Sequence, residues 1–217
     1  MTAPDGRKGS RPDPVALDLI PAQLLAPRAR KLATLAVLAG ALVGTVVWLV
    51  APWWVAILVA AVVALPPALG VFAATKRHIR LDGTVITASG LFRSRSVELE
   101  HLAGVELLVR TARVSQVIAR VNDGSHGLIM IPLALYSGEG GRELDILALR
   151  KLADAFASSE LASAAAISSV LVEQLRAEAR GAGLGERPLY RAVELARTAG
   201  RVPQTTLTDH EVASLVE

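Results

Sequence analysis

Between Leu32 and Thr75 the chain carries no Asp, Glu, Lys, Arg or His. A helix needs roughly 20 residues to cross a bilayer core; Leu32 to Val50 offers about 19 and Val55 to Thr75 about 21. Each run therefore suffices for one span. "APWW" separates them, with Trp48 just before, and indole rings prefer the membrane–water interface. The pattern predicts a tight transmembrane helical hairpin. The 52% hydrophobic and 4% aromatic composition is thus explained by an anchor, not by an unusually large core.

Orientation follows from the flanks. Arg28, Arg30 and Lys31 precede the first span, Lys76, Arg77 and Arg80 follow the second, and the connecting turn is uncharged. Because basic residues stay on the cytoplasmic side, both termini are expected there, in a multi-pass protein of the cell membrane. A cleavable signal peptide fits less well, since its apolar region begins nearer Met1 and no second span follows it. High Ala, Val, Arg and Gly usage with few Lys suggests a bacterium and hence the inner membrane. The net charge of +3 and pI near 9.7 reflect basic residues that are scattered or gathered beside the spans.

Within the spans small residues recur every fourth position: Ala36, Gly40 and Gly44, then Ala56, Ala60 and Ala64. That spacing lets backbones approach closely in lipid. The face can serve packing within the hairpin, through Gly40, Gly44, Ala56 and Ala60, or dimerisation through Gly40 and Gly44. Pro66 and Pro67 each remove a backbone donor and are expected to kink the second helix.

Beyond Lys76 the apolar period drops to two, the mark of half-buried strands. "HIRLDGTVITASG" predicts a hairpin turning at Asp82-Gly83. Val97 and Leu99 share one face against Glu98 and Glu100; after a turn at Leu102 to Gly104, Val105, Leu107 and Val109 line a face again. "VSQVIARVNDGSHGLIMIPL" predicts a second hairpin at Asn122-Asp123-Gly124. "SGEGG" breaks the pattern, and Arg142 to Ser158 reads as a helix with an apolar stripe of Leu149, Leu152, Ala153 and Phe156. The stretch "ITASGLFRSRSVELEHLAGVELL" and the order of strands closed by a helix resemble bacterial membrane-anchored pleckstrin-homology (PH) domain proteins. The resemblance covers roughly Lys76 to Ser159. It implies an α+β PH-like small β-barrel capped by a helix, serving binding or scaffolding, with no fixed catalytic residues.

The remaining chain reads as a helical tail. Glu160 to Arg180 carries Ile167, Val170, Leu171 and Leu175 on one side, and Gly181, Gly183 and Gly185 end it. Pro188 suits the first turn of a helix running to Thr198, and Thr208 with Glu211 forms a capping box for a last helix through Leu215. The tail is expected to dock on the barrel rather than lie free. The organisation is therefore 1–31 disordered or juxtamembrane, with "VALDLIPAQLL" along the membrane surface; 32–75 hairpin; 76–159 PH-like domain; 160–217 helical tail.

Catalytic signatures are missing. The absence of cysteine removes disulfides, thiolate metal sites and cysteine nucleophiles. "SGEGGRE" resembles a phosphate-cradling loop opening onto a helix but lacks the Lys-Ser/Thr ending; a plain connector is the simpler reading. "DHEVAS" has no second histidine four residues after His210, and strand alternation turns His101 away from Glu98 and Glu100. Neither a metal, a cofactor nor an enzyme activity is expected. Lys76, Arg77, Arg80, Arg93 and Arg95 are candidates for anionic lipid headgroups, at about 1 kcal/mol each beside a charged leaflet. Nucleic acid is not expected, since no aromatics are interleaved for base stacking. The expectation is a membrane-anchored module that docks a protein partner, or a second copy, in an envelope, division or transport assembly. The alternatives are lipid-headgroup binding and an accessory role beside a membrane transporter or enzyme.

Overall fold

The computed structural model describes residues 14–19, 22–75, 78–90, 94–124, 127–138, 140–200 and 203–216, with backbone alone over 22–30 and 74–75. They form two compact units: the helical hairpin, residues 20–78, together with 89–94, and a β-rich unit made of the rest.

In the first unit, α1 (Ala22–Trp48) and α2 (Trp53–Thr75) are both long and apolar enough to cross a membrane. The helix α1 starts ten residues before the uncharged run, because Ala, Gln, Leu and Arg in "AQLLAPRAR" favour helix as well as the apolar residues do. Absence of charge marks where lipid can begin, not where the helix does. Pro66 and Pro67 sit inside α2, which continues past both.

The small residues face the partner helix. A Cβ added at Gly40 would lie 2.8 Å from the Ala60 carbonyl oxygen and 2.9 Å from the Ala64 Cβ; at Gly44 it would lie 2.9 Å from the Ala60 Cβ and 3.2 Å from the Ala56 carbonyl. Only glycine allows that approach. The face carrying Gly40 and Gly44 is thus occupied by α2, which is the intramolecular of the two expectations. Thr45 keeps its hydroxyl satisfied by donating to the Ala41 carbonyl at 2.8 Å.

The β-rich unit holds two antiparallel sheets. One contains β1 (Val15–Ala16), β2 (His78–Asp82), β3 (Val85–Ser89) and β4 (Ser94–Glu98), in that spatial order. The other contains β5 (Gly104–Arg110), β6 (Ser115–Asn122), β7 (Leu128–Ser137), β8 (Gly140–Glu143) and β9 (Gln204–Thr206), in the order β8-β7-β6-β5-β9. Among the described residues no strand pairing joins the two sheets, so there is no closed barrel. Among the described residues four α-helices complete the unit: α3 (Ile146–Ala157), α4 (Ala162–Ala179), α5 (Pro188–Thr198) and α6 (Asp209–Ser214).

Turns form where the sequence signals them. Gly83, between β2 and β3, adopts a φ of 61° that a side chain disfavours. Leu81, Ile86 and Val97 point inward from the first sheet, Leu99 from the turn that follows β4, and Val105, Leu107 and Val109 from β5. Leu149, Leu152, Ala153 and Phe156 of α3 share this core, as do Ile167, Val170 and Leu171 of α4 and Leu189 and Val193 of α5. The tail is therefore docked, contributing to the same core as the strands. Its caps match expectation: Pro188 occupies the first turn of α5, and Thr208 and Glu211 form the reciprocal capping box of α6.

Three segments depart from the sequence reading. Residues 15–19, expected along a membrane surface, build the unit: Val15 pairs with Leu81 and Ala16 with Arg80, while Leu17 and Leu19 are buried. "SGEGG" is no loop before a helix; Ser137 to Gly140 turns β7 into β8, and α3 starts only at Ile146, where the Asp145 carboxylate accepts from the Leu147 N–H at 3.0 Å. The segment after α5 returns as β9, pairing Leu108 with Thr206. Each addition is an edge strand of two to four residues, too short for alternation to register.

Candidate functional site

The five basic candidates do not form one described patch. Lys76, Arg77 and Arg93 lie outside the described residues. Arg80 is exposed on β2, its parity opposite to buried Leu81; Arg95 is exposed on β4 and shares the parity of buried Val97. Side chains alternate along a strand, so Arg80 and Arg95 belong to opposite faces of the sheet. Ser89, Gly90 and Ser94 group with the helical hairpin, and the Ser89 hydroxyl donates to the His78 carbonyl at 3.2 Å.

His101 departs from the expected geometry. The strand ends at Glu98, and a 3-10 turn over Leu99–His101 swings the ring back to 3.6 Å from the Glu98 carboxylate, both groups exposed. Among the described residues no three His, Asp or Glu side chains gather in a metal-ligating arrangement.

The densest polar constellation was invisible in the sequence. Glu143, at the end of β8, is 8% exposed and receives two bonds: Tyr136 Oη donates at 2.7 Å and Arg187 Nη1 at 2.6 Å. Arg187 Nε also donates to the Ala182 carbonyl at 3.2 Å. The Tyr136 ring meets Tyr190 edge-on, with centroids 5.2 Å apart. Beside this network lies a polar cleft of about 400 Å3, lined among others by Arg142, Asp145 and Glu178. One turn earlier on α4, buried Gln174 accepts from the Leu189 N–H at 3.2 Å, satisfying an orphan donor of the first turn of α5. Both oxygens of Glu143 are committed, so the arrangement ties sheet to tail. Tyr136 and Glu143 are neighbours across β7 and β8, but Arg187 lies 44 residues further on, and no local spacing links them.

Burial first, and then the bond to Glu143, push the Tyr136 phenol far above its ordinary range. A group whose folded pKa is raised lends stability that is complete below the unfolded pKa, about 10 for tyrosine, and that fades at higher pH. Urea midpoints of the detergent-solubilised protein should fall as pH rises from 10 to 11. Tyr136→Phe should be less stable at pH 7 yet show a shallower alkaline fall. An equal slope in both proteins would contradict the assignment.

Compared with family models, curated proteins and solved structures, the chain matches none of them.

Proposed function

We propose that this is a two-span protein of the bacterial inner membrane whose hairpin is inserted into a cytoplasmic PH-like domain, and that the domain docks a protein partner of an envelope, division or transport assembly. The pairing of β1 with β2 carries the reading. Val15 and Ala16 precede the hairpin, Arg80 and Leu81 follow it, and the two segments are hydrogen-bonded neighbours. A bilayer crossed by α1 and α2 then has both segments on one side, the arrangement that the flanking basic residues favour. Support for the PH-like assignment is the succession of two antiparallel sheets and α3, with the stripe of α3 in the core. Support for docking over catalysis is that the Glu143 carboxylate, 8% exposed, is engaged at both oxygens by Tyr136 and Arg187.

Single cysteines test the topology cleanly, because the chain has none of its own. In intact spheroplasts, a membrane-impermeant maleimide should label Pro52→Cys in the hairpin turn and should reach Gly183→Cys only after permeabilisation. Labelling of Gly183→Cys in intact cells would reverse the orientation and remove the cytoplasmic partner.

Ser94 groups with the hairpin and the exposed Arg95 follows it directly, which supports a second reading, anionic headgroup contact through Arg80, Arg93 and Arg95. In nanodiscs the full-length protein should be stabilised by anionic over zwitterionic lipid by about 1 kcal/mol per arginine at low salt. Arg93→Glu with Arg95→Glu should abolish that difference. The same stability in both lipids would eliminate headgroup binding and leave protein docking.

A further inference from the structure

The segment joining the domain to α1 is an edge strand with two ladder pairs. Only Val15 and Ala16 enter the ladder with β2, whereas β5 and β6 pair from Gly104 to Arg110. Beyond them the Leu17 N–H donates to the Ile79 carbonyl at 2.8 Å, and the Ile79 N–H donates to Asp18 Oδ1 at 3.0 Å. Leu17 and Leu19, two residues apart, are 0% and 5% exposed, and β1 also touches α3. Three residues after Leu19 the helix α1 begins.

We propose that residues 14–19 are a releasable latch, and that the slot they vacate beside β2 and α3 is the domain's docking site for an extended partner segment. That segment would carry two leucine-like side chains two positions apart with a carboxylate between them. The seated Leu17-Asp18-Leu19 defines this chemistry. Its leucines fill the apolar slot, its carboxylate receives the Ile79 amide, and its backbone extends the sheet, the contacts by which strand addition achieves affinity and specificity. Opening is local because a short edge strand at one end of a sheet can leave without breaking the β5–β6 ladder, and such segments lie at the low end of a protein's opening free energies. The inference rests on the docking reading for its partner, while the latch itself can be measured without one.

Two arms test it in the full-length protein in detergent. In the first, Leu17→Cys should react with maleimide about 100-fold faster than Val121→Cys, both sites being fully buried, because only the latch opens locally. Hydrogen exchange of the unmodified protein should show the same order, with the Leu17 and Ile79 amides ahead of those in β5 and β6. Equal rates would mean that the segment opens only with the whole unit, and would overturn the latch even if a partner docks elsewhere. In the second arm, Ala16→Cys and Arg80→Cys staple the latch. The Leu17–Ile79 bond makes 16–80 a non-hydrogen-bonded pair, with Cα atoms about 4.5 Å apart, inside the disulfide range. A fluorescent peptide of residues 14–19 should bind the reduced protein, lose binding on oxidation and regain it on reduction. Binding that ignores the staple, or no binding in either state, would overturn the docking slot.

Discussion

Arg187→Ala is expected to lower the unfolding free energy by about 3–5 kcal/mol, because it leaves a buried carboxylate without its counter-charge. Glu143 is 8% and Arg187 23% exposed, so water cannot replace the guanidinium freely. The loss includes the Arg187 bond to the Ala182 carbonyl, which helps fix the chain entering α5. Arg187→Lys should recover little, since an ammonium cannot serve Glu143 and Ala182 from the two directions that the planar guanidinium spans. Glu143→Gln combined with Arg187→Ala should recover most of the stability, ending within about 2 kcal/mol of the parent, because no charge is then stranded and Tyr136 keeps an acceptor. Urea denaturation in detergent at pH 7, followed by far-UV circular dichroism, gives the comparison. A loss below about 1 kcal/mol for Arg187→Ala would place the pair among solvated surface bridges.

That network shows where a single sequence stops being informative. Its three side chains sit on β7, β8 and the entry to α5, and what makes them partners is the docking of the tail on the sheet. Elements whose reason is local were legible. The uncharged run became α1 and α2, Asp82-Gly83 and Asn122-Asp123-Gly124 became turns, and Thr208 with Glu211 became a reciprocal cap. The stripe of α3 was legible for the same reason, because 3.6-residue periodicity states which side is apolar. The segments β1, β8 and β9 were not legible, because a strand of two to four residues is created by its neighbour. Among the candidate residues, alternation alone separates Arg80 from Arg95, although both lie close to the hairpin in sequence. Gly40 and Gly44 posed the opposite problem: spacing identified a close-packing face, but not whether the other helix belonged to the same chain.

Gly40→Leu should separate α1 from α2, with the second of the two largest effects. A Cβ at residue 40 meets a backbone carbonyl at 2.8 Å and the Ala64 Cβ at 2.9 Å, neither of which can rotate away. The helices must part before the rest of a leucine side chain is accommodated. In lipid no hydrophobic drive compensates for lost contact, since association rests on dispersion across the close-packed face. Overpacking of this kind costs about 1–3 kcal/mol, and the upper end applies where the obstacle is backbone. Gly70→Leu is the matched control: a Cβ there meets nothing within 4 Å, and the residue lies in the same hairpin. Trp48, Trp53 and Trp54 are the chain's only tryptophans and all flank the hairpin turn, so their emission during an SDS titration follows the hairpin by itself. The tryptophan midpoint should fall for Gly40→Leu and stay near the parent value for Gly70→Leu. Hydrogen exchange in the β5–β6 ladder should be the same in both variants, because that ladder belongs to the other compact unit. Equal tryptophan midpoints for the two variants would mean that the helices do not rely on the Gly40 approach, and the small-residue face would then be free for a helix of another chain.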